Sequence, residues 1–205
     1  MQINSGFRAL LAHPWIYKRV MRALRDPTVH AWFKDEILRP VVGQKIVDFG
    51  CGPATILHSL HGVNYVGLDI SSAYVEAARA AFGDRGTFID GHIDEWERHT
   101  ALSDADTFLF NGVLHHIDDA GSLRALRLAK RCLKPGGRLI AYEPAYLIRQ
   151  SRLVRRLMAT DRGRHIRTEQ AWKDLVSQVF PDHTSNVVTK VNRLGYTCIV
   201  IDAVA

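Results

Sequence analysis

The chain has 205 residues, with 47% hydrophobic and 23% charged side chains, a composition ordinary for a folded globular protein. It excludes disordered, collagen-like and fibrous classes, and a chain of this length can bury roughly 70% of its unfolded surface without help from disulfides or a metal. The formal charge of +6 is unevenly placed: residues 1–40 carry +4, residues 41–140 carry −2 and residues 141–205 carry +4.

The first forty residues read as helical. Leu10, Leu11, Trp15, Ile16, Tyr17, Val20, Met21 and Leu24 recur at three- and four-residue steps around Pro14. Asp26-Pro27 then reads as an N-cap and first turn of a short helix carrying Trp32, Phe33, Ile37 and Leu38, closed by Pro40. Beyond it the pattern changes to short apolar runs, each followed by a glycine-rich or polar turn and a helix-period segment. The expected strands are Lys45–Phe49, Asn64–Leu68, Thr87–Ile89, Thr107–Phe110 and Arg138–Tyr142. Helices are expected from Gly52 through about Leu60, over Ala73–Phe82 behind a Ser71-Ser72 cap, and over Ala120–Cys132, with Asp118 and Asp119 as caps. Lys134-Pro135-Gly136-Gly137 reads as a turn, Leu147–Phe180 as a basic helical stretch, and Asn186–Val191 with Tyr196–Ile201 as a terminal antiparallel hairpin.

Strands alternating with helices imply right-handed crossovers and a parallel sheet covered on both faces. The expected fold is α/β: a Rossmann-like, doubly wound, mostly parallel seven-stranded sheet with a C-terminal antiparallel hairpin and N-terminal helices. No internal repeat or linker breaks the chain, so residues 1–205 read as one domain. The three cysteines (Cys51, Cys132, Cys198) show no CxxC spacing, and Met1–Gly6 lacks a basic region followed by an apolar stretch. No apolar run approaches the length of a membrane span. A cytoplasmic protein with reduced thiols is the expectation. His92, His99, His115 and His116 form no metal-ligand spacing with cysteines or paired acids, so no metal is expected.

Val47-Asp48-Phe49-Gly50-Cys51-Gly52-Pro53-Ala54 places an acid and two glycines at a strand-to-helix turn, where open α/β sheets bind ligands. Glycines let a ligand approach the backbone, and a helix N-terminus attracts polar groups. Asp69 ends the second strand, where ribose hydroxyls need an acceptor. Both features suit a dinucleotide as well as any other ribosyl ligand, although no third glycine follows at Thr55.

Four ordered segments decide between these. They are Val47–Ala54, Gly67–Ser71, Phe108–His116 with its Leu114-His115-His116 turn, and Cys132–Leu139. Together they resemble the class I S-adenosylmethionine-dependent methyltransferases, small-molecule type, over roughly residues 45–142. The resemblance implies S-adenosylmethionine as cofactor and a division into a helical cap (1–40), a cofactor-binding core (41–142), a basic helical insertion (143–185) and a terminal hairpin (186–205). It places Gly50, Cys51 and Gly52 along the methionine portion, Asp48 at the ammonium, Asp69 at the ribose and Ile70 against the adenine. An acid after the third strand normally meets the adenine amino group. Here Asp90-Gly91-His92-Ile93 stands there, with Asp90 or His92 as alternatives for that contact. The resemblance has Asn111 offering its backbone carbonyl to the methionine ammonium, and it counts Leu114 among the cofactor-binding residues. Ala54 departs from the glycine most members carry.

A sulfonium carries its own leaving group, so methyl transfer needs chiefly a positioned nucleophile and exclusion of water. His115 and His116 are the candidates for a general base, or else architecture that shapes the cofactor pocket. Tyr17, Trp32, Glu143, Arg164 and Arg167 are the acceptor-binding candidates. From Arg149 to Arg167 seven arginines stand against one acid, Asp161, which favours an anionic ligand or surface. Thr160–Arg167 also resembles an Asp-Arg-Gly…Ile-Arg segment of related bacterial methyltransferases. The turn Asn111-Gly112-Val113-Leu114 is not the Asn/Asp-Pro-Pro-aromatic turn that methylates amino groups of DNA bases or glutamine. The expected partner is therefore a small-molecule acceptor bearing a carboxylate or phosphate. An RNA methyltransferase or a catalytically silent S-adenosylmethionine-binding protein are the alternatives.

Overall fold

The computed structural model describes residues 27–159, 161, 163–189, 191 and 195–205. The helix expected over residues 10–24, and with it Trp15 and Tyr17, lies outside the described residues. The first described element, α1 (Pro27–Trp32), runs directly into a wider π-helical turn over Phe33–Leu38 that ends at Arg39 in the left-handed region.

Five parallel strands follow: β1 (Lys45–Phe49), β2 (Asn64–Asp69), β3 (Gly86–Asp90), β4 (Ala105–Asn111) and β5 (Leu133–Tyr146). Between them lie α2 (Ser72–Phe82), the single turn α3 (Ile93–Trp96) and α4 (Asp119–Cys132). The chain finishes with α5 (Arg152–Met158), a two-residue strand β6 (Arg167–Thr168), α6 (Glu169–Ser177), β7 (His183–Thr189) and β8 (Thr197–Val204). The sheet order is β3-β2-β1-β4-β5-β8-β7, with β8 antiparallel to both β5 and β7, and β6 adding a short parallel pairing to β5. The doubly wound fold and terminal hairpin match the sequence reading, and β6 adds an eighth strand.

The central strands are buried along nearly their whole length because both sheet faces are covered. Val47, Phe49, Phe108 and Phe110 point into one core with Trp96, Leu126 and Trp172. Ile46, Leu109 and Ile140 point into the other with Phe33, Tyr65 and Phe82. Trp172 ties α6 to the sheet, its indole N–H donating to the Pro144 carbonyl at 3.0 Å.

Three local expectations change. The helix anticipated after Gly52 is only a 3₁₀ turn, Thr55–His58, because Gly50, Gly52 and Ala54 all take positive φ (75°, 55° and 51°) and a helix cannot start through them. The Lys134–Gly137 turn is an excursion within β5: Leu133 pairs with Ala105, Arg138 with Thr107, and the register shifts between them. The basic insertion is not continuously helical, since β6 separates α5 from α6. Among the described residues no helix is long and apolar enough to cross a membrane.

Candidate active site

The strand order reverses between β1 and β4, so their carboxyl ends flank the crevice where open α/β sheets bind ligands. On the β1 side the backbone N–H groups of Gly50 and Cys51 both donate to the Leu68 carbonyl, at 2.7 and 2.9 Å, folding the loop back onto β2. A Cβ on Gly50 would fall 2.3 Å from Val113 Cγ2, so only glycine lets this loop pass the turn after β4. Cys51 turns its thiol toward β2, where a Cβ on Gly67 would fall 2.7 Å from the sulfur. Burial pushes that thiol far above its ordinary pKa, so it is not a nucleophile.

Asp69 accepts from Gly52 N at 2.8 Å through one carboxylate oxygen and from Ser71 N at 2.9 Å through the other. Burial raises its pKa, opposed by these two donors. The acid is thereby fixed at the end of β2 with lone pairs left for further donors. Ile70, 65% exposed, forms the lip beside it. Asp48 is different. It lies buried in β1, takes a 2.5 Å hydrogen bond from the Tyr65 hydroxyl on Oδ2, and leaves Oδ1 buried without a partner. Burial pushes its pKa up to about 7, against the Tyr65 hydrogen bond and with help from Asp69. A buried acceptor without a donor is costly unless a ligand supplies one.

At the end of β3 neither sequence candidate reaches inward. Asp90 is exposed and held on α2 by Ser72 Oγ at 3.0 Å and Arg79 at 3.4 Å, and the Ser72 hydroxyl foremost lowers its pKa. His92 is the N-cap of α3, in a reciprocal capping box with Glu95. Gly91, at φ 141°, leaves room that a Cβ would lose, 2.2 Å from Glu95 Oε2. Ile93 packs against the first core. The sequence reading missed Trp96, whose buried indole N–H has no partner and would lie 3.4 Å from a Cβ on Gly91. A single tryptophan among Asp94, Glu95, Glu97 and Arg98 gives no sequence signal for a ligand contact, and only its orphaned donor marks it out.

The β4 side is built from the opposite principle. Glu143, fully buried in β5, accepts from the N–H groups of Val113 (2.9 Å), Leu114 (2.8 Å) and His115 (3.3 Å), and from His115 Nδ1 at 2.7 Å. It therefore holds the turn Leu114–His116 and does not face an acceptor. His115 Nε2 lies 3.3 Å from Asp161 Oδ1. Burial alone would depress the imidazole pKa, but hydrogen bonds to Asp161 and Glu143 outweigh it and push the value up to about 9. The two carboxylates thus favour the protonated form of His115, one beside each ring nitrogen. Leu114 packs into the first core with its N–H and carbonyl both engaged. Asn111 is exposed at the end of β4.

The arginine-rich segment docks onto this turn. His165 N donates to the His115 carbonyl at 2.9 Å, and a Cβ on Gly163 would fall 2.1 Å from His115 Cδ2. Arg167, only 9% exposed, donates to Asp119, to the carbonyls of Leu114, His165 and Ile117, and to Ser122, while its guanidinium lies 4.5 Å over Trp172. Arg167 is a clamp, not an acceptor ligand. Asp119, expected as a cap, is its counter-ion, and Asp118 alone caps α4, accepting from Gly121 N at 2.8 Å. Arg164 stays exposed, and Trp32 is half-buried against the second core. His115, His116 and Asp161 bring ligating atoms within 4.8 Å of one another, a grouping that spacing along the chain did not reveal.

The β1–β3 side leaves buried polar atoms that a ligand carrying both a donor and an acceptor would satisfy. Asp48 Oδ1 is an unmatched acceptor and Trp96 Nε1 an unmatched donor. Comparison with known proteins agrees. Residues 46–137 match a family described as a methyltransferase domain. An S-adenosylmethionine-dependent methyltransferase from Archaeoglobus fulgidus superposes with a TM-score of 0.71 at 15% identity, over 92% of this chain and 99% of that one. A phospholethanolamine N-methyltransferase from Haemonchus contortus, in complex with S-adenosylhomocysteine, gives 0.73 at 14% identity, over 98% and 60% of the respective chains. In sequence, the chain is 28% identical over 102 residues to a ubiquinone biosynthesis O-methyltransferase from Thiobacillus denitrificans, covering 48% of this chain and 43% of that protein. The chain spans less than half the length of the curated relatives it matches.

The fold is that of S-adenosylmethionine-dependent methyltransferases, and residues 46–137 carry a methyltransferase-domain match. S-adenosylmethionine is the cofactor that this fold and match support.

Proposed function

We propose that the protein transfers the methyl group of S-adenosylmethionine to an oxygen of a small-molecule acceptor. The unmatched Asp48 Oδ1 beside the Gly50–Gly52 loop carries the cofactor half of this reading. The cofactor supplies an activated methyl on a sulfonium. The chain's part is to hold it. Asp69, oriented by Gly52 and Ser71, accepts from the ribose hydroxyls. Asp48 accepts from the ammonium, Trp96 donates toward the adenine, and Gly50 lets the loop pass close to the turn after β4.

The acceptor half rests on the turn after β4. Glu143, Asp161 and Arg167 hold this turn, and His116 lies half-buried beside the His115 ring with centroids 4.1 Å apart. On this reading His116, at the turn after β4, receives the acceptor proton. An anionic group on the acceptor would meet Arg164, the exposed arginine of the docked segment.

Calorimetric titration with S-adenosylmethionine, S-adenosylhomocysteine and NAD tests the cofactor half. Saturable binding of the two sulfur nucleosides, weakened in Asp48→Asn and Asp69→Ala, is expected, whereas binding of NAD alone overturns it. Transfer of labelled methyl to a panel of hydroxylated small molecules tests the acceptor half. Label appearing only on amines or on RNA rejects oxygen transfer, and an unchanged KM in Arg164→Glu rejects the anionic acceptor.

A further inference from the structure

The turn Leu147–Gln150 and helix α5 present a surface that neither the cofactor nor the acceptor site uses. Ile148 is fully exposed and Leu153 is 76% exposed. Arg149, Arg152 and Arg156 surround them, all exposed, and none takes part in an ion pair among the described residues. No acid occurs between Leu147 and Ala159. The inner side of the element is firmly held. Met158 is fully buried, and Gln150 Nε2 donates to Thr197 Oγ1 at 2.7 Å, whose hydroxyl in turn donates to the Ala145 carbonyl at 2.7 Å. Arg155 lies against Tyr146, its guanidinium 4.7 Å from the ring. The aliphatic and cationic side chains are therefore displayed outward by a fixed support.

We propose that this face docks on an anionic phospholipid surface, with Ile148 and Leu153 entering the boundary between headgroups and acyl chains and Arg149, Arg152 and Arg156 over the headgroups. Isolated exposed aliphatics need no explanation, but two of them inside an unpaired arginine cluster combine the two attractions that hold interfacial helices. Charge argues against the other occupants. Residues 1–26 carry five Lys/Arg against one acid, and a second copy would bring its own arginines, so both would repel this face. A nucleic acid would draw on the arginines but would seek aromatic side chains for stacking. The patch offers two aliphatics, and the Tyr146 ring beside it already carries Arg155. The location also suits the chemistry: α5 leads straight into Asp161, which donates through its N–H to the Met158 carbonyl at 3.0 Å and faces His115. A bilayer on this face lies beside the docked segment, so an acceptor that partitions into lipid would be within reach.

The test is co-sedimentation of the full chain with vesicles of phosphatidylcholine, with and without phosphatidylglycerol, at low and high ionic strength. Binding is expected only to the anionic vesicles, and weaker at high salt because exposed charges are screened. Each arginine near such a surface is worth about five-fold in affinity. Arg152→Glu/Arg156→Glu should therefore lose roughly 25-fold or more, since reversal also adds repulsion. Ile148→Ser/Leu153→Ser should lose binding at unchanged charge, and unchanged melting and S-adenosylhomocysteine affinity would show that each variant is folded. Failure to bind anionic vesicles, equal binding to neutral ones, or indifference to both double variants overturns the proposal. Binding of RNA that the Ile148→Ser/Leu153→Ser variant retains, with no vesicle binding, assigns the face to nucleic acid instead and overturns it too.

Discussion

Asp48 and Glu143 are both buried carboxylates on central strands, one on each side of the same crevice, and their surroundings are opposite. Glu143 takes four donors, three backbone N–H groups and one imidazolium N–H. Asp48 takes one, from Tyr65, and keeps an oxygen unmatched. A saturated buried carboxylate fixes its neighbours; an unsaturated one has a free energy that falls when a cation or donor arrives. The crevice thus pairs a closed wall, which holds the turn after β4, with an open wall, which awaits a ligand.

Removing each acid separates the two roles. Glu143→Ala strands three buried N–H groups and an imidazolium, and should cost about 3–5 kcal/mol of folding stability. Denaturant unfolding would measure it, and a loss under 1 kcal/mol would sink the closed-wall reading. Asp48→Asn should instead leave the fold intact or slightly more stable, because a buried carboxylate that lacks a donor is replaced by a neutral amide. Its cost appears in cofactor affinity, roughly 10- to 100-fold weaker for S-adenosylhomocysteine, as for other hydrogen bonds to charged groups. Equal losses of stability in both variants would erase the contrast.

The two walls also respond differently to pH. Folding raises the Asp48 pKa from 3.8 to about 7, so the folded chain holds a proton that the unfolded chain releases. Its contribution to stability is complete below the unfolded value and is lost as pH rises through about 7. His115 is raised from 6.5 to about 9, so its contribution is complete below 6.5 and lost as pH rises through about 9. The ligand-free protein should therefore melt at lower temperature as pH climbs. Cofactor binding runs the other way, because the ionised Asp48 is the form that attracts an ammonium. The thermal shift caused by S-adenosylhomocysteine should grow between about pH 6 and about pH 8 while the ligand-free melting temperature falls. Asp161→Asn should flatten the upper part of the ligand-free curve and leave the growth of the ligand shift unchanged. If the ligand shift is flat across neutral pH in the parent protein, Asp48 is not the group that meets the ammonium.

The open wall was far more legible in the sequence than the closed one. Glycines at 50 and 52 and acids at strand ends are local signals, because the backbone conformation and the strand terminus are set by neighbouring residues. Asp48, Asp69 and the glycine loop stand where the pattern put them in the fold. The closed wall depends on residues distant in sequence. Glu143 sits beyond the fifth strand's expected end, and Asp161, Gly163 and Arg167 come from a segment whose arginines read as ligand-seeking. No periodicity says that an arginine will end among backbone carbonyls, so Arg167 and Glu143 read as acceptor-binding residues in the sequence, whereas their partners in the fold belong to the turn after β4. The same blindness hid Trp96, since an orphaned donor is visible only when its neighbours are placed.

Gly163 offers the finest adjustment of the closed wall. A Cβ there would fall 2.1 Å from His115 Cδ2 and 2.7 Å from the His115 carbonyl oxygen, and the second of these is backbone that cannot swing aside. Gly163→Ala should therefore lift the segment off the turn at a cost of about 1–3 kcal/mol, the usual range for overpacking. Because Asp161 accepts from Gly163 N at 2.8 Å, the displacement also loosens the carboxylate from His115. The pKa of His115 should fall as one of its two anions withdraws, which proton NMR of the imidazole would follow directly. Cofactor affinity should stay within about two-fold, since no atom of the open wall touches Gly163 and distant sites act additively. If affinity falls as far as in Asp48→Asn, the walls are one cooperative unit. If the imidazole titration does not move, Asp161 is not what holds His115 protonated.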